Sequence, residues 1–241
     1  MKKAIATSLV VLLFNSVSAL VFAQGLPAAA EKDFTAAYDA QVSKTLAAFP
    51  DLPGIAIVVV KDDKPIFVRA YGMADREAGI KADPDTLYYI ASSTKSFTAL
   101  TAAMLDKEGK IKFSDPVTKY TPGIQFKNEI PPKITIRDLL THTSGLRNIA
   151  LHNRPAFTGQ IDQRELDHAF AEATTFNEAN FGKYNYTNLG YNIYGLALHY
   201  HLNKKWQDVL HERIFAPAGL AASSAFPPSI ALTSPPATAR T

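Results

Sequence analysis

The chain has 241 residues, 47% hydrophobic and 20% charged, with a formal net charge of +3 and no cysteine. These values are ordinary for a soluble globular protein of one sizeable domain or two intimate subdomains. They exclude disulfides, thiolate metal sites and a lipid-anchored cysteine, and no basic cluster makes a case for nucleic acid as a partner.

The N-terminus reads as a secretory signal. Met1-Lys2-Lys3 is a short basic start and Ala4 to Phe14 is almost wholly apolar. Val21-Phe22-Ala23 ahead of Gln24 fits a cleavage site, with Val17-Ser18-Ala19 as a second candidate. Asn15, Ser16 and Ser18 break the apolar run before the ~20 residues needed to cross a bilayer, which disfavours a retained anchor. The expected organisation is a signal peptide over 1–23 and an exported domain over 24–241, in the periplasm or the medium, with no stable membrane anchor after cleavage.

Glu31 to Phe49 carries Phe34, Tyr38, Val42, Leu46 and Phe49 at helical spacing, ended by Pro50 and Pro53. Gly54 to Val60 and Ile66 to Val68 flank the turn Lys61 to Lys64 and predict a β-hairpin. The first strand is apolar on both faces, so it is expected to be buried on both sides. Ala91 to Lys107 predicts a helix lined by Phe97, Leu100, Thr101 and Met104, with Gly109 as its stop. Thr135 and Asp138 have capping-box spacing at the start of another helix, and Asp162 and Glu165 repeat it before Leu166 to Ala173. Further helices are expected around Leu196 and from Trp206 to Ile214. The tail beyond Leu220, with Pro227, Pro228, Pro235 and Pro236, is irregular. Two convincing strands against about five helices is an imbalance, because a lone hairpin is marginal.

Three stretches can do chemistry. In Ser92-Ser93-Thr94-Lys95 the Ser and Lys lie one helical turn apart on one face, where the amine can take the hydroxyl proton and the helix N-terminus favours an oxyanion. With 13 Ser and 17 Lys, about one such pair arises by chance, and a helix cap beside a solvated Lys is the plain alternative. Tyr186-Thr187-Asn188 follows a polar loop. Tyr186 can relay protons and Asn188 can hold a Lys and a substrate carbonyl, although a satisfied Tyr beside a turn-forming Asn is the commoner meaning. In Leu139-Leu140-Thr141-His142-Thr143-Ser144-Gly145-Leu146, His142 is either a base or, more commonly, a residue that fixes its loop by backbone hydrogen bonds. His199, His201, His211 and Glu212 were weighed as metal ligands and fit packing or solvated roles better, since residues two apart on a helix diverge. No metal or cofactor is expected.

Taken in order, Ser-x-x-Lys, Leu-Leu-Thr-His-Thr-Ser-Gly-Leu and Tyr-x-Asn resemble the serine β-lactamase-related and penicillin-binding-protein-like family, which includes class C β-lactamases, DD-carboxypeptidases, esterases and amidases. Ile214-Phe215-Ala216-Pro217-Ala218-Gly219-Leu220 resembles that family's Ile-Phe-x-Pro-Leu-Gly-Met stretch. The resemblance runs from about Phe34 to the chain end. It implies an α+β fold of the β-lactamase/transpeptidase type, an antiparallel sheet flanked by helices plus a helical subdomain. It also implies an acyl-enzyme mechanism with Ser92 as nucleophile, Lys95 and Tyr186 sharing the proton work, and Asn188 binding substrate. The partner is then a small-molecule or peptide substrate, with a small ester or D-amino-acid peptide favoured over a β-lactam.

Two departures stand out. Asn180-Phe181-Gly182 occupies the place of the family's Pro-Gly before the Tyr motif. The family's third motif, Lys/His-x-Gly, has no counterpart, because no Lys or His follows His211 and no Gly follows Gly219. The expectation is therefore an N-terminal portion of such a domain, its sheet incomplete at the C-terminus and its own activity weak or absent. A non-catalytic peptide-binding module is the alternative. A Ser-His-Asp hydrolase of the α/β type is disfavoured, since no Gly-x-Ser-x-Gly occurs.

Overall fold

A computed structural model describes residues 28–122, 124, 126, 128, 130–148 and 163–225. The expected signal peptide, the Asp162/Glu165 box and the proline-rich tail from 226 onward lie outside the described residues and side chains. The chain divides into two compact units after Thr86.

In the first unit, helix α1 (Ala28–Ala47) precedes strands β1 (Gly54–Lys61) and β2 (Lys64–Asp75) and the short β3 (Ile80–Lys81). The three form an antiparallel sheet in the order β1-β2-β3. The hairpin turns on Asp62 and Asp63, whose φ values of 49° and 60° match the left-handed pair of a type I′ turn. A bulge at Val59/Val60 sets Val60 opposite Pro65, where the missing N–H of proline is tolerated. Tyr38 stacks on Phe34 and meets the Phe67 ring edge-on at 5.0 Å, and the Tyr71 hydroxyl donates to Asp39 at 2.5 Å. These contacts seat α1 on β2. Phe49 lies past the helix end and is exposed, so the apolar stripe is one residue shorter than its sequence spacing suggests.

The expectation that β1 is buried on both faces is not met. Val58 and Val60 are 61% and 60% exposed, while Ile55, Ile57 and Val59 are part-buried. The strand is apolar on both sides, but among the described residues one side is open to solvent.

The second unit holds the larger core. A 3₁₀ turn at Ala91–Ser93 leads into α2 (Thr94–Lys107), which ends before Gly109 at φ 70°. The buried face of α2 is Thr98, Thr101, Ala102 and Leu105. Leu100, expected inside, is 52% exposed, and Phe97 instead meets the Phe215 ring edge-on. Helix α3 (Ile136–Leu140) starts with the predicted capping box: Thr135 accepts from the Asp138 N–H, and the Asp138 side chain accepts from the Thr135 N–H at 2.9 Å.

Strand β4 (Leu146–Arg147) pairs antiparallel with β5 (Thr175–Phe176), which follows helix α4 (Gln163–Ala173). Helix α5 (Leu189–Leu202) is central, burying Leu189, Ile193, Leu196 and Leu198. It packs on α3 through Gly190, where an added Cβ would sit 2.3 Å from the Leu139 carbonyl oxygen. The helix expected from Trp206 to Ile214 is α6 (Trp206–Leu210) continued by a π-helical turn, His211–Phe215. The result is an α+β fold. No described helix is long and apolar enough to cross a membrane.

Candidate active site

Three local structures converge in the second unit. The first is the start of α2. Ala91 adopts φ 46°, a left-handed conformation that costs an L-residue about 1–2 kcal/mol. It turns the chain into the 3₁₀ turn and presents Ser92 on the exposed rim. Lys95, one turn on, lies on the same face, and its ammonium nitrogen donates to Ser92 Oγ at 3.1 Å.

The second is the segment before α5. The Tyr186 hydroxyl donates to Ser92 Oγ at 2.6 Å, and Asn188 Oδ1 accepts from Lys95 Nζ at 2.7 Å. The bland meanings of both motifs were capping and turn formation. Neither Ser93 nor Asn188, the residues at the two N-cap positions, makes a side-chain cap bond. Thr187 Oγ1 instead accepts from the Leu189 N–H at 3.1 Å, and Asn188 Oδ1 is taken by Lys95. Ser92, Lys95, Tyr186 and Asn188 are thus all brought together.

The third is the loop after α3. His142 has φ 63°, and the loop is tied to the Tyr186 segment by backbone bonds. The Asn185 N–H donates to the His142 carbonyl at 2.8 Å, and the Gly182 N–H donates to the Thr143 carbonyl at 2.9 Å. The Thr187 N–H donates to His142 Nδ1 at 3.3 Å. The imidazole lies against Tyr186, Tyr191 and Tyr184, with centroids 4.6, 5.5 and 5.8 Å away. His142 makes the backbone contacts expected of a loop-fixing residue, and these fix the Tyr motif as well as its own turn.

Electrostatics follow from this packing. The Lys95 ammonium lies 5.0 Å from the Tyr186 ring centre and 5.5 Å from that of Tyr191. Lys95, and then the hydrogen bond with Ser92, hold the Tyr186 phenol below its usual range, against a smaller opposing effect of burial. Burial, and then the Lys95 charge, hold the His142 imidazole below its usual value. Burial pushes Tyr191 up, and its hydroxyl donates to the Leu140 carbonyl at 3.2 Å. Tyr191 was not singled out from the sequence. Its signal was available: it lies three residues after Asn188, so it shares the first turn of α5.

A hydroxyl flanked by a cation and by a phenol held below its usual range is equipped for nucleophilic attack with local proton transfer. Three of the four residues weighed as metal ligands have other partners. His201 Nε2 lies 3.1 Å from the Lys110 carbonyl oxygen, the His199 ring meets Tyr200 edge-on, and Glu212 pairs with Lys204. Among the described residues no group of three or more His, Asp or Glu could hold a metal.

Comparison with known proteins gives the family and the fold. The sequence model of the Beta-lactamase family matches residues 42–238. Protein flp of Staphylococcus aureus is 30% identical over 148 residues, covering 61% of this chain and 30% of that protein. Esterase EstB of Burkholderia gladioli is 36% identical over 124 residues, covering 48% of this chain and 32% of that protein. The matched regions are about a third of these relatives' length. A D-amino acid amidase structure from Ochrobactrum anthropi SV3 superposes with a TM-score of 0.57 at 26% identity, covering 70% of this chain and 46% of that one. Solved structures of this fold reach TM-scores between 0.57 and 0.64.

Proposed function

Because this chain belongs to the beta-lactamase family, whose matched relatives include an esterase and an amidase, we propose that it is an exported active-site-serine hydrolase working through an acyl-enzyme. The observation that carries the proposal is Ser92 Oγ held at 2.6 Å by Tyr186 and at 3.1 Å by Lys95.

In the proposed first step, Ser92 Oγ bonds to the substrate carbonyl carbon and its proton passes to the Tyr186 phenolate. Lys95 Nζ lies 3.1 Å from Ser92 Oγ and 2.7 Å from Asn188 Oδ1. Its N–H groups favour the phenolate, the developing alkoxide and the Asn188 carbonyl oxygen together. Collapse of the tetrahedral adduct breaks the bond to the leaving group, which takes the proton from Tyr186. Water then attacks the ester on Ser92, giving its proton to Tyr186, and the acid product departs as Ser92 Oγ regains a proton. The Ser92 backbone N–H, at the start of the helix, is a donor toward the oxyanion, and the Asn188 amide orients the substrate carbonyl.

The substrate is a small ester or a D-amino-acid amide or peptide in preference to a β-lactam. The similarity to an esterase and to a D-amino acid amidase supports this choice. Export rests on the basic and apolar pattern of residues 1–23, and N-terminal sequencing of the secreted product should begin at Gln24.

The test is labelling of the chain with a fluorophosphonate and with a fluorescent penicillin, followed by peptide mapping. An adduct on Ser92, absent in Ser92→Ala, is expected. Hydrolysis of p-nitrophenyl esters, D-alanine amides and a chromogenic cephalosporin then ranks the substrates. Adducts confined to other residues would overturn the assignment.

A further inference from the structure

His142 is not needed as a nucleophile or base in the proposed chemistry, yet it lies directly against the site. Its main chain and its ring both bond to the segment that carries Tyr186 and Asn188. Its carbonyl accepts from Asn185 at 2.8 Å, and its Nδ1 accepts from the Thr187 N–H at 3.3 Å. Thr187 stands between Tyr186 and Asn188, so the bond is made at the centre of the motif. The same ring packs at 4.6 Å from the Tyr186 ring and 5.5 Å from Tyr191.

The chemistry of this contact is one-sided. An imidazole nitrogen accepts a hydrogen bond only when it carries no proton. Nδ1 must therefore be bare, and the ring proton must sit on Nε2. Protonating Nδ1 would turn it into a second donor facing the Thr187 N–H and would add a cation near Lys95.

We propose that His142 is a positioning residue that holds Tyr186 and Asn188 in register with Ser92 and Lys95, and that it does so only as the neutral Nε2–H tautomer. This rests on the acyl-transfer reading above and assigns to it an acid limit set outside the reacting groups.

The surroundings bear this out on every side. Lys95 faces the ring from α2, Tyr184 and Tyr186 from the loop before α5, and Tyr191 from α5 itself. On α3, just ahead of the His142 loop, Asp138 is engaged by Thr143 at 3.2 Å and by Thr135. The one charge acting on the ring opposes its protonation, in the same direction as burial. The left-handed backbone at φ 63° also narrows the useful substitutions. Asn tolerates that conformation, and its Oδ1 offers an acceptor at about the place of Nδ1 without titrating.

The experiment compares the full chain with His142→Asn and His142→Ala, reading the rate of Ser92 modification by a fluorophosphonate against pH. If Tyr186 supplies one ionisation, the wild-type rate falls with the first power of acidity down to the His142 pKa, which lies below the ordinary His value of ~6.5, and more steeply below that point as His142 takes a second proton. His142→Asn is expected to stay within about threefold of wild type at neutral pH and to lose the steeper limb. His142→Ala is expected to be about 10- to 100-fold slower at all pH, the scale of a misplaced catalytic group.

A second readout does not need activity. Nitrogen-15 spectra of the wild-type imidazole should show a proton on Nε2 and none on Nδ1 at neutral pH, and the Thr187 amide shift should titrate with His142. An Nδ1–H tautomer, an unchanged acid limb in His142→Asn, or a wild-type rate in His142→Ala would each overturn the proposal. If His142→Ala does not fold, the Asn variant and the spectra decide. Failure of Ser92 to react in wild type would instead count against the acyl-transfer reading, leaving the tautomer result to judge His142.

Discussion

The Lys95 ammonium donates to Asn188 Oδ1 at 2.7 Å, joining residues 93 positions apart in the chain. The bond ties the start of α2 to the start of α5. It also takes up a side chain that would otherwise be suited to capping α5. Asn188→Ala removes the acceptor and lets Lys95 swing from Ser92. The expected result is a fall in kcat/KM of about 10- to 100-fold, read in steady-state hydrolysis of an activated ester, with little loss of helicity.

Tyr186→Phe removes the hydroxyl at 2.6 Å from Ser92 Oγ and keeps the ring against His142. General base catalysis is worth about 10²–10⁴ in rate, so the turnover loss should fall in that range. The melting temperature should hardly move, because the side chain is 45% exposed. A variant with wild-type turnover would place the base elsewhere.

Lys95→Met tests the charge that acts on Tyr186. The Tyr186 phenol is held below its usual range chiefly by Lys95, so its titration should move up toward the ordinary value of ~10. The sign for activity follows. With the phenolate as the proposed base, activity rises with pH through the Tyr186 pKa, and a depressed pKa brings that rise to lower pH. Lys95→Met should therefore lower the rate and shift the rise to higher pH. Phenolate difference spectra, with Tyr186→Phe as the blank, measure the shift directly.

Two glycines of α5 predict opposite stability effects. At Gly190 a Cβ would meet the Leu139 carbonyl oxygen at 2.3 Å, whereas at Gly195 it would meet only the Trp206 ring at 3.4 Å. Gly190→Ala should destabilise by about 1–3 kcal/mol or more through overpacking of α3 on α5. Gly195→Ala should be neutral or stabilise by up to ~1 kcal/mol through helix propensity. Thermal or urea unfolding of the two variants checks the contrast.

The capping box supplies a further stability test. Asp138 accepts from the Thr135 N–H and hydroxyl, at 2.9 and 2.7 Å, and from Thr143 Oγ1 at 3.2 Å. Asp138→Ala should cost about 0.5–2 kcal/mol. It should also loosen the His142 loop, which follows α3 directly. Urea unfolding reads the first effect, and the fluorophosphonate rate reads the second.

Much of this was legible in the chain alone. The hairpin at Lys61 to Lys64, the Thr135/Asp138 box, the Gly109 stop and the helix around Leu196 are dictated by local geometry, and local geometry is written in short stretches of sequence. The errors were non-local. Val58 and Val60 read as buried because apolar character says which residues prefer cover, while cover itself comes from other strands. Leu100 and the α2 face misread for the same reason, since helical spacing gives a stripe without fixing the side on which the core lies. Tyr191 went unnoticed because its place one turn after Asn188 gains meaning only once that turn is brought against Lys95 and His142.

The sequence by itself determined the candidates Ser92, Lys95, Tyr186 and Asn188, through their order and through the Thr-His-Thr-Ser-Gly stretch between them. Neither Ser-x-x-Lys nor Tyr-x-Asn is improbable alone, and each has a capping or turn meaning that its own neighbours cannot exclude. Only the tertiary structure decided between those meanings. It placed the two motifs within hydrogen-bonding distance and left both N-cap positions without side-chain caps. The reason is physical. A cap bond is made within one turn of chain, but the Ser92–Tyr186 and Lys95–Asn188 bonds depend on α3 and α5 packing at Gly190 and on the His142 loop being fastened to residues 182–187. Those contacts exist only once the core has formed.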